Sequence, residues 1–336
     1  MTATGPAPAV ASPPQTVTPP RSATRSARKA RAGSVYVPPA STRKAQRRLG
    51  LLFVVPLMVM IAVFMVFPLL NAFYYALVDF DGIDPTPPWV GLDNFTELLQ
   101  DEKVYAAFKN NAIWIVLGTI GPLALGLGMA LLVWNARRGS VFYRTVFFLP
   151  FILPQVAIGV VWGWIYEPSR GWLNKVLDLV GLESVTTGWL GNPDTALYAV
   201  LVTAIWASVG FVFVIFLSAL RSVDLDLVDA SMLDGANFWQ RLRNVILPQI
   251  MPVFLMVTTI TLLGGFRVFD IVFVMTGGGP AGATEVLGTY AYSSAFELNR
   301  ISYGTALALV ITVIAVPFAA WLNRIQRRLA LEGGGV

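Results

Sequence analysis

Two charged side chains, Arg267 and Asp270, lie three residues apart inside an otherwise apolar run. A charge at bilayer depth opposes membrane insertion by about 3 kcal/mol, so such a pair needs a structural partner or a function. The spacing places both on one face of a helix, where they could form a local ion pair near the outer membrane interface. Alternatively, they are a polar wall along which a solute passes, and the preceding Gly264 and Gly265 allow a ligand or a backbone to approach closely.

A second set of residues suited to solute binding lies in the apolar run 195–220. Trp206 and Phe211 offer aromatic rings, Ser208 offers a hydroxyl group, and Gly210 leaves a small gap. Small-molecule sites combine apolar walls with a few polar groups, and aromatic faces with hydrogen bonds suit a sugar. The same mixture also suits plain helix packing, so this run by itself leaves both interpretations open.

The chain contains no His and no Cys. It therefore lacks the commonest nucleophiles and general bases, the thiolate ligands of metal sites, and disulfides. No Gly-x-x-x-x-Gly-Lys loop is present, and none of the five Lys follows a Gly, so any ATP hydrolysis has to be performed by another chain. The sequence predicts a non-enzyme with no catalytic residue, no metal site and no cofactor of its own.

Several long apolar runs are typical of a multi-pass membrane protein. The residues are 56% hydrophobic and 13% charged, whereas a soluble domain carries about a quarter charged residues. A transmembrane helix needs roughly 20 apolar residues, and this criterion predicts an all-α integral membrane protein with six transmembrane helices. The predicted spans are 50–78, 106–134, 141–166, 195–220, 250–275 and 302–323.

The charges between the predicted spans indicate their orientation. Basic residues precede the first span, and further arginines lie in the connections 135–144 and 221–243 and after the last span. Because cytoplasmic loops carry an excess of Lys and Arg, both termini and the loop 221–249 are predicted to be cytoplasmic. Residues 1–45 are rich in Ala, Pro, Ser, Thr and Arg and lack core-forming residues, which predicts a disordered basic tail.

The most polar internal stretch, Val228 to Ile250, separates two apolar runs. Apolar residues recur at helical spacing in each half, which predicts two short amphipathic helices. The residues are Leu225, Val228 and Met232, then Phe238, Leu242 and Val245. Asp234-Gly235 between them is a turn signal, because Gly can adopt the left-handed conformation that ends a helix. The pattern indicates either a plug for another protein or a linker lying in the lipid headgroups.

This stretch resembles the loop that marks the membrane subunits of bacterial binding-protein-dependent ABC importers. The family pattern reads Glu-Ala-Ala, two residues, Asp-Gly-Ala, a variable run with an aromatic residue, then a hydrophobic pair and Pro. Asp229-Ala230-Ser231 stands at the Glu-Ala-Ala, Asp234-Gly235-Ala236 matches unchanged, Leu242 replaces the usual Phe, and Pro248 closes the motif. The departures are conservative in size or charge, although Asp229 reaches less far than Glu would. The resemblance implies that these residues couple the chain to an ATPase subunit.

The loops predicted to be external also look like those of the sugar branch of these permeases. The motifs are Gly91-Leu92-Asp93-Asn94-Phe95, Gly171-Trp172-Leu173-Asn174, Trp189-Leu190-Gly191-Asn192-Pro193, Thr276-Gly277-Gly278-Gly279-Pro280 and Tyr303-Gly304-Thr305-Ala306. As a group, the resemblance implies that these loops dock an external solute-binding protein. It runs from about Pro68 to the last helix.

Maltose-type permeases hold sugar on the helices immediately before and after the cytoplasmic loop. By offset from Asp229 and Pro248, the resemblance implies a pathway formed by Ala204, Ala207, Ser208, Phe211, Thr261, Gly264, Gly265 and Val268. Trp206, Arg267 and Asp270 complete the candidate pathway. Several positions are small and apolar where a sugar-binding permease would use amides. Either a second permease does most of the binding, or selection lies outside the membrane.

The resemblance implies a type I ABC importer permease fold, and a permease subunit that imports a disaccharide or short oligosaccharide across the bacterial cytoplasmic (inner) membrane. The expected partners are a second permease, two ATPase subunits that bind ATP and Mg, and the external solute-binding protein, with no nucleic acid. An importer of glycerol 3-phosphate or a polyol phosphate is the alternative, with Arg267 as its candidate cation. An ion-coupled secondary transporter is more distant, because Asp270 is the only carboxylate well inside a span and no repeated halves are visible.

The expected organisation has four parts. A tail covers 1–45, and the first transmembrane helix with an external loop covers 46–104. The permease core covers 105–325 and contains the coupling loop 222–249, and a cytoplasmic tail covers 326–336.

Overall fold

The computed structural model describes residues 40–134 and 139–333 of the chain. Helices make up most of these residues, and the one β pairing among them is an antiparallel bridge between Val78 and Trp89. The predicted all-helical fold class is therefore confirmed. Of the predicted disordered tail, residues 1–39 lie outside the described residues, whereas residues 40–45 already belong to the first helix.

The helices range from a single turn to 33 residues. In chain order they are α1 (Ala40–Ile61), α2 (Phe67–Ala76), α3 (Asp93–Leu98), α4 (Glu102–Trp134), α5 (Ser140–Ile152), α6 (Gln155–Ile165), α7 (Trp172–Leu179), α8 (Pro193–Leu220), α9 (Leu225–Leu233), α10 (Phe238–Arg241), α11 (Leu247–Phe266), α12 (Asp270–Met275), α13 (Leu287–Tyr292) and α14 (Ile301–Gly333). Within the described residues, π-helical turns cover Ala62–Val66, Leu242–Ile246 and Ser293–Glu297, and a 3-10 turn covers Glu183–Val185.

Five helical stretches in the described part of the chain are long and apolar enough to cross a membrane. They are Leu51–Ala76, Glu102–Trp134, Pro193–Leu220, Phe238–Phe266 and Ile301–Gln326. A sixth candidate, Val141–Ile152 followed by Gln155–Ile165, is bent by 97° at its break. The six predicted apolar segments are therefore present, five as long helices and one as a bent pair.

The third predicted span, 141–166, is wrong as a single continuous helix. α5 ends at Ile152 and α6 begins at Gln155. Pro154 has no N–H to continue the helical hydrogen bonds, and its ring forces the preceding residue out of the helical region. Leu153 accordingly has an extended backbone, with φ −70° and ψ 142°. The chain changes direction at this proline.

The fifth predicted span, 250–275, differs at both ends. Its helix begins already at Phe238, because α10, the following π-helical turn and α11 form one continuous stretch to Phe266. It also stops early, since Arg267 ends α11 and a separate helix, α12, starts at Asp270. Arg267 and Asp270 therefore lie on two sides of a break and not on one face of one helix, as the spacing predicted.

Residue contacts divide the chain into two compact units, 1–65 and 66–336. The described part of the first unit is α1 with the start of the π-helical turn that follows it. All the packing described below belongs to the second unit.

Three clusters of buried side chains form the core of the second unit, and α4 contributes to each of them. Ala107 belongs to one, Trp114 to the next, and Leu123 and Ala130 to the third. An α-helix rises 1.5 Å per residue, so these contributions follow one another over about 35 Å. The third cluster also contains Val228 of the predicted coupling loop. We call this end of the bundle the coupling end.

α4 and α8 pack side by side with glycines between them. A Cβ added at Gly118 would touch Leu201, and a Cβ added at Gly126 would lie 2.7 Å from Val212. The contact positions advance in the same direction on both helices, so the two helices run parallel. Small residues let membrane helices approach closely enough to gain dispersion contacts along their whole length.

At the end opposite the coupling end, one carboxylate joins three helices. Asp101 Oδ2 accepts hydrogen bonds of 2.5 Å from the hydroxyl groups of Tyr290 in α13 and Tyr303 in α14. Its Oδ1 accepts a hydrogen bond of 2.8 Å from the amide of Lys103 at the start of α4. Partial burial raises the pKa of Asp101, but these hydrogen bonds outweigh it and hold the pKa below its ordinary value of 3.8.

Acid is expected to weaken this junction. Because the folded-state pKa of Asp101 is lowered, its contribution to stability is complete above pH 3.8 and is lost as the pH falls through the lowered value. Asp101→Asn cannot gain or lose this charge. Thermal unfolding of the purified chain, followed from neutral pH to about pH 3, should therefore show a destabilisation by Asp101→Asn that shrinks in acid. A difference in Tm that stays constant over that range would contradict the assignment.

Candidate functional site

The coupling loop forms a helix-turn-helix whose ends are capped by its own polar residues. The carboxylate of Asp224 accepts a hydrogen bond of 2.9 Å from the amide of Asp226 and so caps α9. Gly235 follows α9 with φ +79°, the left-handed conformation that its sequence position predicted. Asn237 and Gln240 then form a reciprocal capping box at the start of α10, with bonds of 2.9 and 2.8 Å.

Two buried residues fix this loop to the rest of the bundle. Val228 of α9 and Leu242, the residue that directly follows α10, are each 7% exposed and belong to the core cluster at the coupling end. The side-chain oxygen of Gln249 in α11 accepts a hydrogen bond of 2.9 Å from the amide of Asp224. Residues of α8, α9 and α11 thus belong to one buried cluster at this end of the bundle.

The predicted coupling residues divide by exposure. Asp229, Ala230, Asp234 and Gly235 are exposed, and Ser231 and Ala236 are half-buried. Leu242 is buried and so offers no contact surface, whereas Pro248 is exposed in the first turn of α11. Their role in coupling stays a prediction.

Large apolar side chains on the loop surface were missed by the motif comparison. Leu233 is 90% exposed and Trp239 is 72% exposed, on either side of the Gly235 turn. Such residues cost free energy in water, and together they mark a surface that another protein would cover. The sequence contained a signal for this exposure, because neither Leu233 nor Trp239 belongs to the apolar stripes that predict the buried faces of the two short helices.

A cavity of about 320 Å³ lies near the middle of the bundle, between the core cluster at the coupling end and the next one. Six helices and the break between α11 and α12 contribute to its walls, and two of the lining residues flank the break between α5 and α6. The lining residues are Trp114 and Gly118 of α4, Phe151 of α5, Gln155 of α6, Ala204, Ile205, Ser208, Phe211 and Val212 of α8, Ile260, Thr261, Gly264 and Gly265 of α11, Arg267, Val268 and Phe269 of the second break, and Asp270 and Ile271 of α12.

The structure brings most of the predicted pathway residues to this cavity. Among its lining residues are Ala204, Ser208, Phe211, Thr261, Gly264, Gly265, Arg267, Val268 and Asp270. Trp206 does not reach it, because its ring packs edge-on against Trp162 with centroids 5.4 Å apart. Ala207 is buried in the adjacent core cluster. Lining residues and packing residues thus lie on different faces of α8.

Arg267 and Asp270 do not form the local ion pair that was the structural alternative. Within the described residues, the one pair of opposite charges closer than 4.0 Å is Arg300 with Glu97, at the end opposite the coupling end. Both Arg267 and Asp270 are exposed and line the cavity. Each lies next to the break between α11 and α12, where the helical hydrogen bonds are interrupted. The cavity wall therefore carries a guanidinium group and a carboxyl group that are not paired with each other.

Other parts of the cavity wall combine aromatic and polar groups. The rings of Phe151 and Phe211 stack with centroids 4.7 Å apart and planes 20° apart. The hydroxyl groups of Ser208 and Thr261 donate to carbonyls of their own helices at 2.9 and 3.0 Å, which leaves their lone pairs to accept hydrogen bonds. The arrangement suits a ligand with apolar faces and several hydroxyl groups.

Sequence reasoning missed Phe151 and Gln155, which reach the cavity from the break between α5 and α6. The signal was Pro154 inside a predicted span, because a proline and the residue before it interrupt a helix. In a membrane, an interrupted helix is tolerated only where it is buried in protein or lines a cavity.

Comparison with known proteins identifies the kind of chain that carries this cavity and this loop. A family model described as the binding-protein-dependent transport system inner membrane component matches residues 40–331. The diacetylchitobiose uptake system permease protein NgcF of Streptomyces coelicolor is 31% identical, over 84% of this chain and 82% of its own length. The trehalose/maltose transport system permease protein MalF of Thermococcus litoralis is 28% identical, over 84% of this chain and 95% of its own length.

Solved structures agree on the fold. A chain in the crystal structure of a bacterial alginate ABC transporter in complex with alginate pentasaccharide-bound periplasmic protein superposes with a TM-score of 0.72 and 23% identity. The superposition covers 85% of this chain and 97% of that chain. The fold is that of a type I ABC importer permease, a multi-pass membrane protein. With the family model spanning all but the two ends, the chain belongs to the binding-protein-dependent transport system inner membrane components, the permease subunits of ABC importers.

Proposed function

We propose that this chain is a permease subunit of an ATP-driven importer for a sugar, either a disaccharide or a short oligosaccharide. The cavity between the two helix breaks carries the proposal. Its volume of about 320 Å³ lies at the lower end of the range of small-molecule sites. The stacked pair of Phe151 and Phe211 offers a flat face for the C–H side of a sugar ring. Hydroxyl, carboxylate and guanidinium groups around it offer hydrogen bonds to the sugar hydroxyl groups.

The names of the relatives support the substrate class. One is the permease of a diacetylchitobiose uptake system and another that of a trehalose/maltose transport system. The family assignment gives no support to an ion-coupled secondary transporter, which was the distant alternative from sequence.

The proposed assembly contains a second permease, two ATPase subunits and an external solute-binding protein in the bacterial inner membrane. ATP and Mg bind to the ATPase subunits. Closure of those subunits moves α9 and α10, which are fixed to the core through Val228 and Leu242. The membrane helices then switch from an inward-facing to an outward-facing arrangement, and solute released by the binding protein enters. The open side of the cavity, where Arg267 and Asp270 are exposed, is completed by the second permease.

A second candidate function is import of glycerol 3-phosphate or a related polyol phosphate. One observation favours it, which is the guanidinium of Arg267 in the cavity wall without an acidic partner within 4.0 Å among the described residues. Arginine binds phosphate through two parallel hydrogen bonds and its fixed charge.

Substitution of Arg267 is expected to separate the two candidates. A hydrogen bond between a charged group and a sugar hydroxyl contributes about 1.5–3 kcal/mol, so Arg267→Ala should raise the KM for a sugar by roughly 10- to 100-fold. Asp270→Asn serves as the matched control, because it keeps the shape and removes the opposite charge. The measurement is uptake of labelled disaccharides and of glycerol 3-phosphate by cells that produce each variant in place of the native chain.

The lysine variant gives the deciding comparison. Arg267→Lys keeps the positive charge but loses the forked geometry. Uptake of a phosphate should be retained in part by Arg267→Lys, through its charge, and abolished by Arg267→Ala. If no sugar is taken up by the unaltered system while glycerol 3-phosphate is, the sugar assignment is wrong.

A further inference from the structure

One buried amide holds the helix break that borders the cavity. Asn111 of α4 is 4% exposed. Its Nδ2 donates a hydrogen bond of 3.0 Å to the carbonyl of Gly265 in the last turn of α11. Its Oδ1 accepts a hydrogen bond of 2.9 Å from the amide of Leu287, the first residue of α13. A single side chain therefore joins α4, α11 and α13.

Both partners of Asn111 are groups that a helix cannot satisfy by itself. The last four carbonyls and the first four N–H groups of a helix have no partner inside it. Because α11 ends at Phe266, the carbonyl of Gly265 is one of these, and so is the N–H of Leu287 at the start of α13. Inside a membrane, water does not replace the missing partner. The amide of Asn111 replaces both and thereby fixes where α11 stops.

The helix that carries Asn111, α4, also contributes to the cavity wall. Ile115 lies one turn after Asn111, and a Cβ added at Gly265 would lie 3.0 Å from its Cα, so the two backbones touch there. Trp114 and Gly118, on the adjoining face, line the cavity. The end of α11 is thus held from one side by an amide and by close backbone contact, while its other side borders the cavity.

We propose that Asn111 is a positioning residue for solute passage: its amide fixes the break after α11 and thereby places Arg267 and Asp270 in the cavity wall. This inference rests on the proposed function, because it assigns the cavity to the solute. Asn111 itself is not among the residues that line this cavity. It affects the solute only indirectly, through the position of the backbone at the end of α11.

The preceding residue provides a matched control. Asn110 is also a buried asparagine of α4, at 9% exposure. Its Nδ2 donates to the carbonyls of Ala283 and Glu285 at 3.1 and 2.8 Å, which lie in the loop before α13 and outside the cavity. Asn110→Leu and Asn111→Leu each keep the number and branching of the side-chain heavy atoms and remove two hydrogen bonds. Only Asn111→Leu removes a hydrogen bond to the end of α11.

The test uses a thiol in the cavity wall. The chain has no native Cys, and a Cβ added at Gly264 meets no atom within 4 Å, so Gly264→Cys fits without displacing its neighbours. The labelling rate of this thiol by a small maleimide is measured in the assembled complex, in the native background and with each asparagine variant. Sugar uptake is measured in parallel for the asparagine variants without the cysteine.

Asn111→Leu is expected to change the labelling rate several-fold and to raise the KM for the solute about tenfold with little change in maximal rate, since small misplacements of binding groups weaken their hydrogen bonds. Asn110→Leu should lower the amount of protein in the membrane but leave the labelling rate and KM of the remainder unchanged. Equal effects of the two variants on labelling and KM would overturn the proposal.

Two further outcomes are decisive. If Asn111→Leu does not accumulate, Asn111→Ala, which removes both hydrogen bonds without adding bulk, is used in the same assays. If neither accumulates while Asn110→Leu does, the amide is required for folding and the positioning role is wrong. The labelling rate needs no solute, so an altered rate without any sugar uptake in the native background would contradict the proposed function and leave the role of Asn111 at the break supported.

Discussion

Replacement of Gly210 by alanine is expected to prevent accumulation of the folded chain in the membrane. Gly210 lies in α8 at its crossing with α5, and a Cβ added there would overlap the backbone carbonyl of Phe147. A side chain in the way can rotate aside, but this carbonyl moves only with its helix. The expected destabilisation is more than about 3 kcal/mol, above the usual cost of adding a methyl group to a packed core.

Gly128→Ala is the matched control for this prediction. Gly128 lies inside α4, and a Cβ added there meets nothing within 4 Å. Alanine favours the helix over glycine by about 1 kcal/mol, so this variant should accumulate as well as the native chain or better. The measurement is the amount of monodisperse protein after detergent extraction, together with its Tm. Equal yields and equal Tm values for Gly210→Ala and Gly128→Ala would contradict the assigned packing of α5 on α8.

Replacement of Gly235 by tryptophan is expected to abolish transport while the chain still inserts. Gly235 has φ +79°, so any other L-residue is strained by about 1 kcal/mol or more. Within this chain a Cβ at Gly235 meets nothing within 4 Å, so a large side chain has room there and points to whatever covers the loop. If the loop is held out of the groove of the ATPase subunit, that subunit transmits no motion to the membrane helices. Uptake should then fall by more than tenfold, equivalent to about 1.4 kcal/mol.

Gly235→Asn separates the two causes of this loss. Asparagine is small and tolerates the left-handed conformation better than other residues, so this variant should keep most of the uptake. Cross-linking then tests the partner directly. Ala230 is exposed, and Ala230→Cys gives a single thiol in a chain without native Cys. Paired with a thiol in the groove of the ATPase, it should cross-link more readily in one nucleotide state than in another.

The coupling assignment has a clear contrary outcome. A chain that inserts, tolerates tryptophan at Gly235 and never cross-links from Ala230→Cys to an ATPase in any nucleotide state would show that the loop has another role.

The local sequence determined a large part of this protein's secondary structure. The apolar runs predict the membrane helices because a span has to satisfy its own backbone and present apolar side chains. The turn at Asp234-Gly235 also follows from sequence, because few residues other than glycine adopt φ +79° without strain. The motif from Asp229 to Pro248 indicated the family, and the family model over residues 40–331 confirms it.

Tertiary structure decided where the helices are interrupted and what meets at the breaks. Hydropathy is high on both sides of Leu153 and Arg267. Hydropathy averaged over a window of residues therefore does not reveal the helix break at either position. The end of α11 at the break is held by Asn111, about 150 residues earlier in the chain, whose amide donates a hydrogen bond to a carbonyl that has no partner within the helix. Likewise, spacing alone left an ion pair between Arg267 and Asp270 and a polar pathway wall as alternatives, and only the break between α11 and α12 shows that the two residues are not on one helix. A contact between distant segments depends on how whole helices pack, which the local pattern of residues does not encode.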